Sequence, residues 1–316
     1  MEFIKFNAGP DDDGRRFDRI IRKICGENLS GIYKAIRKGL IKLNGKKADS
    51  SVKVSEGDVI EIAEFLLSNN KTDLKNEEKN TDKSLDIIYQ DKNFLILNKK
   101  YDSTVHGSSQ SIDKSVVKWY ENSSIKSASI SFVPGPLHRL DRKTTGILAF
   151  SLSLNGARWF SENIASHRIK KTYLALLEGN LPQHEHWEDF IKRNDEADKN
   201  AFHSVTAAET EDSDSKKAIT DVTPVKHFCF SGKACTLAEI NIGTGRTHQI
   251  RAQSALHGFP LLGDTAYGGS KINSDQDFYL HACRLEFPED RPEGLPKNLE
   301  APLPEAFNKF LFLLQK

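Results

Sequence analysis

No apolar run in this 316-residue sequence approaches the roughly 20 residues that a membrane-spanning helix needs, so the chain reads as a protein that stays in water. Its start, MEFIKFNAGPDDDGRRF, lacks the basic stretch, apolar core and small-residue cleavage site of a secretory signal, and cytoplasm is the expected location. The four cysteines, Cys25, Cys229, Cys235 and Cys283, form no C-x-x-C pair, which argues against a zinc ribbon or a disulfide scaffold and for reduced thiols. A net charge of only +1 makes no bulk case for a nucleic-acid partner. What is present is a globular composition, 38% hydrophobic and 28% charged, in a chain long enough for one large domain and a smaller one.

The charge is unevenly spread. Residues 15–53 carry twelve lysines and arginines against three acids. Phe17, Ile20, Ile21 and Ile24 recur at i, i+3, i+4 and i+7, which predicts a short amphipathic helix with arginines around it. Ser30 suits the N-cap of a second helix through Lys38, and Gly39 the left-handed residue beyond its end. LIKLNGKK holds an Asn-Gly turn, and VKVSEGDVIEI supplies short β-prone runs. One-signed charge on two helices and a hairpin is what a surface following RNA phosphates needs, with Arg15, Arg16, Arg19, Lys34, Arg37 and Lys38 as candidate contacts.

The sequence divides into a module at 1–66, a polar tether at 67–83 and a larger domain at 84–316. In the last, LDIIYQD, FLILNK, TGILAFS, KTYLALLEG and CTLAEINI read as strands, with a helix expected around Leu154–Ser166. The acid-rich stretch 183–221 reads as a surface insertion.

Three segments carry candidate chemistry. In GPLHRLDRKTTGILAFS, one acid, Asp141, stands among His138, Arg139, Arg142 and Lys143; surrounding cations favour its ionised form and a nucleophilic role. The threonines and Gly146 suit a close approach into the following strand. In GTGRTHQIRAQ, Arg246 and Arg251 with His248 and Gln249 resemble an anion-binding turn that opens a helix. In KTYLALLEG, Tyr173 follows a basic run and can stack on a base while offering a hydroxyl. Taken singly, each has an ordinary structural explanation; together they point to a base, a phosphate and one acid. His184 and His186 near Glu185 and Glu188 fit no established zinc spacing, so no metal site is expected.

At these segments the chain resembles the large-subunit ribosomal RNA pseudouridine synthase family. HRLDRKTTG matches its central motif, GRTHQIR its late arginine motif and KTYLALLEG its tyrosine segment, while GFPLLGDTAYGG and LHACRLEF resemble its closing segments. The basic module resembles the alpha-L RNA-binding domain that many members carry in front. The resemblance implies an α+β protein: a catalytic domain on a mixed, mainly antiparallel sheet, preceded by a small α+β RNA-binding domain. It further implies Asp141 as catalytic acid, Tyr173 as stacking residue and Arg251 as partner of that acid. Arg139 would lie near the extruded nucleotide, and His138, Arg246, His248 and Gln249 would contact substrate. Neither metal nor organic cofactor is implied. Where the family has Asn-Lys-Pro-x-Gly, this chain has NKKYDSTVHG, which bears on the loop Lys99–His106 rather than on the chemistry.

The expected partner is ribosomal RNA, with transfer RNA second; no membrane is expected, and the chain is read as a monomer. The rival classes are a non-catalytic RNA-binding or ribosome-assembly protein, which needs only the basic module, and a hydrolytic enzyme that would shorten its RNA.

Overall fold

The computed structural model describes residues 1–26, 29–67, 85–127, 129–193, 205–208, 211 and 214–315. Near the N-terminus, β1 (Phe3–Asn7), α1 (Phe17–Cys25), α2 (Leu29–Arg37), β2 (Ile41–Leu43) and β3 (Val59–Ala63) follow the hydrophobic pattern closely. The apolar stripe of α1 is buried at Phe17, Ile20 and Ile21, against Ile32, Ile36 and Ile60. Gly26, at φ +63°, ends α1 by donating its N–H to the Arg22 carbonyl at 3.0 Å. Gly39, at φ +72°, serves α2 in the same way. Ser30 lies inside α2 and does not precede it. Asn44 and Gly45 are both left-handed, and Leu43 and Lys46 exchange backbone hydrogen bonds around them, as a two-residue hairpin requires. The sheet order is β1-β3-β2, antiparallel throughout.

Contacts divide the chain into two compact units, and the first joins Met1–Ser84 with Asp113–Gly135 and Ser151–Arg158. Of the tether read at 67–83, only Leu67 lies among the described residues. Asp12 holds much of this unit. Its buried carboxylate accepts from Gly9 N (3.0 Å), Ser129 Oγ (2.8 Å), Ile130 N (2.7 Å) and Ser131 Oγ (2.6 Å). Asp11 accepts the Leu154 N–H at 2.6 Å. Burial alone would raise the Asp12 pKa, but the hydrogen bonds from Ser131, Ile130, Gly9 and Ser129 together hold it below the usual carboxylate value. Asp12→Ala therefore orphans several donors and is expected to cost about 2–3 kcal/mol in urea unfolding. Because the folded-state pKa is the lower one, the contribution of Asp12 is present above roughly pH 4 and lost as pH falls through the folded value. The variant should accordingly show a shallower loss of stability on acidification.

Further along come β4 (Ile87–Gln90), β5 (Phe94–Lys99), α3 (Ile112–Glu121), β6 (Gly135–Pro136), β7 (Thr145–Ser151), α4 (Leu154–Ala165) and β8 (Lys170–Glu178). After them lie β9 (Glu185–Arg193), β10 (Val205–Ala208), β11 (Lys216–Phe230), β12 (Lys233–Ile242), α5 (Gln249–Leu256), β13 (Leu280–Glu286), β14 (Asn298–Glu300) and α6 (Glu305–Leu313). Among the described residues an 11-stranded sheet runs β10-β9-β11-β12-β8-β13-β7-β5-β4, with β14 on β13 and β6 on β7. β13 and β7 are parallel, while β10–β9, β9–β11, β11–β12, β12–β8, β8–β13, β13–β14 and β4–β5 are antiparallel. The fold is thus α+β on a mixed, mainly antiparallel sheet. One core packs Phe94, Ile147, Phe160 and Phe287. Another packs Leu176, Tyr279, Phe307 and Phe310.

The described parts of the acidic stretch 183–221 belong to the large sheet and do not form a surface insertion. Its described ends are β9 and the start of β11, paired with each other in the large sheet. Trp187, Asp189 and Ile191 are buried while His186 and Glu188 are exposed, the alternation of a half-buried strand. Glu188 takes an outward position, whereas Asp189 points inward and is bonded by Gln253 and His257.

Candidate active site

All eight residues proposed for catalysis or substrate contact, namely Asp141, Tyr173, Arg251, His138, Arg139, Arg246, His248 and Gln249, line one cavity of about 680 Å³ in the second unit. Asp141 lies just before β7, in a turn closed by Thr144 N donating to the Asp141 carbonyl at 3.1 Å. The turn sits tight against β13 because Gly146, at φ +107°, leaves no room for a side chain: a Cβ there would lie 2.1 Å from the Ala282 carbonyl oxygen. On the same strand Thr145 shares a 2.8 Å hydrogen bond with His281 Nδ1, and His281 Nε2 lies 3.2 Å from the Ala301 carbonyl.

Lys99, at the end of β5, braces this turn from inside. Its buried ammonium donates to the carbonyls of Thr144 (2.7 Å), Arg142 (2.8 Å) and Lys100 (3.1 Å). Burial pushes its pKa down to about 7, against the opposing pull of Asp141 and Asp102. Asp102 stands where the family pattern has its glycine. It takes the left-handed conformation itself, at φ +57°, which a short Asp tolerates better than most residues.

The flanking cations do not surround Asp141 as the sequence suggests. Arg142 pairs with Asp102 at 2.7 Å and Lys143 with Asp277. The nearest basic groups to the Asp141 carboxylate are His248 Nε2 at 3.8 Å and Arg251 Nη1 at 4.0 Å. Its side chain is 19% exposed, and no side-chain hydrogen bond to it occurs among the described residues.

Arg251 is fixed chiefly by another acid. Its guanidinium donates to Asp264 through Nε (2.6 Å) and Nη2 (2.8 Å), a bidentate buried pair. The rings of Tyr267 and Phe278 lie 4.6 and 4.7 Å from its Cζ. One edge of the fork, Nη1, is left toward Asp141. Asp264 belongs to the GFPLLGDTAYGG segment, whose Gly263 and Gly269 lie too close to neighbouring backbone to carry a side chain. In sequence the segment resembles a closing segment of the family without marking Asp264 for a role; the acid beside its glycines is the signal that points to it.

His248 caps α5 in a left-handed conformation, φ +52°, and its Nδ1 shares a 2.8 Å hydrogen bond with the Tyr267 hydroxyl. Burial lowers its pKa, with Asp141 opposing. Tyr173 projects from β8 and is 6% exposed; burial and nearby Asp141 raise its phenol well above the usual range, so it keeps its proton. Arg139 is exposed at the mouth of the cavity.

Two residues named for substrate contact are engaged elsewhere. Gln249 is buried: its Oε1 accepts from Thr244 Oγ1 (2.7 Å) and Arg246 N (3.0 Å), and its Nε2 donates to Ile219 O and Thr220 Oγ1, both at 2.9 Å. It positions the 243–246 turn. His138 accepts the Ala149 N–H on Nε2 at 3.1 Å and stacks on Phe160, and burial, with nearby Lys171, pushes its pKa down to about 3. It acts as a neutral packing group. The Gln249 network continues through Thr220 and Gln253 to Asp189, so the misread acidic stretch helps to hold the site.

In the first unit, Arg19, Lys34, Arg37 and Lys38 are exposed. Arg15 donates to Ser131 Oγ at 2.8 Å, and Arg16 is paired with buried Asp18 at 2.7 Å, so those two are partly committed within the unit. Among the described residues there is no cluster of three or more His, Cys, Asp or Glu side chains suited to a metal ion, and no helix is long and apolar enough to cross a membrane.

Comparison with known proteins gives a concordant result. The RNA pseudouridylate synthase family matches residues 93–256, more than half of the chain, and the S4 domain matches residues 15–60. The ribosomal large subunit pseudouridine synthase C of Escherichia coli K12 is 26% identical over 95% of this chain and 93% of its own length. The uncharacterized RNA pseudouridine synthase YlyB of Bacillus subtilis is 26% identical over 100% of this chain and 99% of its own. The solved structure of human RNA pseudouridylate synthase domain containing 1 shares the fold, with a TM-score of 0.54 at 24% identity over 75% of this chain and 97% of that one.

Proposed function

The chain belongs to the RNA pseudouridylate synthase family, and we propose that it converts uridine to pseudouridine in large-subunit ribosomal RNA with Asp141 as its working carboxylate. The reaction breaks the bond between ribose and uracil nitrogen, turns the base and rejoins it through carbon 5, so the RNA is neither lengthened nor cut.

The observation that carries the reading is a carboxylate that accepts no side-chain hydrogen bond among the described residues, in a cavity furnished with cations and one aromatic face. A partly buried acid left unbonded is poor structural design and good provision for chemistry. The target must leave its stack, which costs a few kcal/mol, and Arg139 at the mouth is suited to fill the vacated space. Asp141 then acts at the sugar or the base, as nucleophile or as stabiliser of developing charge. Arg251, aimed by Asp264, stands 4.0 Å from that carboxylate and orients it. Tyr173 gives the detached uracil a flat surface on which to turn without escaping.

Ribosomal RNA is favoured over transfer RNA by the similarity to the Escherichia coli ribosomal large subunit pseudouridine synthase and by the S4 match with its exposed Arg19, Lys34, Arg37 and Lys38. A second RNA contact raises effective concentration on a large folded target. Such a target puts the enzyme's work in the cytoplasm, and we read it as a monomer without cofactor. The test is tritium release from RNA labelled at carbon 5 of uridine, comparing ribosomal RNA with bulk transfer RNA. Release from the ribosomal pool alone is expected. Release from the transfer pool alone would reassign the substrate.

A further inference from the structure

Among the described residues, the cations around the cavity have partners with two exceptions: Arg139, which is exposed to solvent, and Lys171. Lys170 reaches Glu286 at 3.8 Å, Arg142 pairs with Asp102, Lys143 with Asp277 and Arg251 with Asp264, while Lys99 is held by three carbonyls. Lys171 is half-buried on β8, and among the described residues it has neither a carboxylate nor a hydrogen-bonded partner. Burial pushes its ammonium below the usual lysine range with no neighbouring acid to oppose it. A desolvated cation without a counter-charge is unfavourable unless something arrives to neutralise it.

Its surroundings show where that arrival would occur. A Cβ on Gly245 would sit 3.2 Å from Lys171 Nζ, so the ammonium lies beneath the Gly243–Arg246 turn in space that a glycine leaves open. The turn is rigid: Thr244 Oγ1 and Arg246 N both donate to Gln249, Ile219 N donates to Thr244 Oγ1 at 3.0 Å, and Arg246 Nε donates to the Lys217 carbonyl at 3.0 Å. The acid that lines this side of the cavity, Asp221, is engaged by His186 Nδ1 at 2.8 Å. Lys171 and Tyr173 alternate onto the same face of β8 and both line the cavity. Two residues of strand put them roughly 7 Å apart, about the span from a pyrimidine ring to the phosphate of its own nucleotide.

We propose that Lys171, under the Gly243–Arg246 turn, is the seat of a backbone phosphate of the extruded uridine. The inference rests on the uridine-isomerising reading and deepens it. Once the bond to uracil is broken, the ribose is held only through its phosphates, and a fixed cation beside Tyr173 keeps the sugar in register while the base turns. Lys171 is a positioning residue, acting on the nucleotide's backbone and not on the reacting atoms.

The experiment follows kcat/KM for tritium release from a C5-tritiated large-subunit ribosomal RNA transcript across salt concentrations, for wild type, Lys171→Met and Lys171→Arg. Filter binding of the same transcript runs in parallel, and unfolding midpoints check that each variant is folded. One lost contact to single-stranded phosphate flattens the log–log salt dependence by about 0.7. Lys171→Met is expected to show that flattening in kcat/KM, with a fall of about 10- to 100-fold at low salt, whereas Lys171→Arg keeps the wild-type slope. A folded Lys171→Met with the wild-type slope overturns the proposal, whatever its activity, because a packing role leaves counter-ion release unchanged. If wild type releases no tritium, the uridine reading has failed, and the binding slopes alone then decide whether Lys171 meets a phosphate.

Discussion

Asp141→Asn is expected to lower kcat for pseudouridine formation by about 10⁴-fold or more while leaving RNA affinity within a few-fold of wild type. The reason lies in what the carboxylate does not do. Its closest basic neighbours stand at 3.8 and 4.0 Å, and it accepts no side-chain hydrogen bond among the described residues, so the amide removes charge without breaking a structural contact. Stability should therefore hold or rise, by up to about 1 kcal/mol, as it does where an active-site acid is kept at the expense of the fold. Activity and urea unfolding measured on the same preparation check both halves. A variant that loses activity by unfolding would make Asp141 a structural residue.

Asp264→Ala carries the second large effect, on stability first. It strips a buried guanidinium, packed between two aromatic rings, of a bidentate partner at 2.6 and 2.8 Å. Removing one member of a buried pair costs about 3–5 kcal/mol, because the remaining charge stays buried. The acid next nearest to Arg251 is Asp141, so the freed guanidinium is drawn onto the Asp141 carboxylate and should lower kcat/KM by about 100-fold or more at a temperature where the variant is still folded. Asp264→Asn, which keeps an acceptor oxygen, should recover part of both losses. Equal stability of Asp264→Ala and wild type would show that the pair is not what holds Arg251.

The contrast between these two acids marks what the sequence made legible. Asp141, Tyr173 and Arg251 sit in contiguous strings whose residue types state their chemistry, and the helix stripe of Phe17–Ile24 and the Asn44–Gly45 turn are equally local signals. The partnerships were not local. Arg142 and Lys143 flank Asp141 in sequence yet turn to Asp102 and Asp277, because adjacent residues of a turn project in different directions. Arg251 was matched to the catalytic acid, although its short contacts go to Asp264. In the stretch 183–221 composition is legible but position is not: on β9 exposed Glu188 alternates with Trp187 and Ile191, whereas buried Asp189 shares their face and joins the hydrogen-bond network that reaches Gln249. Nothing in the sequence sets Lys99 and Lys171 apart from their neighbours; the fold buries Lys99 and half-buries Lys171 while it leaves Lys100 and Lys170 exposed.

The central claim, isomerisation without cleavage, is tested most directly by incubating ribosomal RNA that lacks pseudouridine with the purified protein and then measuring both its nucleosides and its length. The account predicts that pseudouridine appears in an amount equal to the uridine lost, in RNA of unchanged length, and that the Asp141→Asn protein yields none. Shortened RNA, or intact RNA bound tightly with its uridine unchanged, would contradict it.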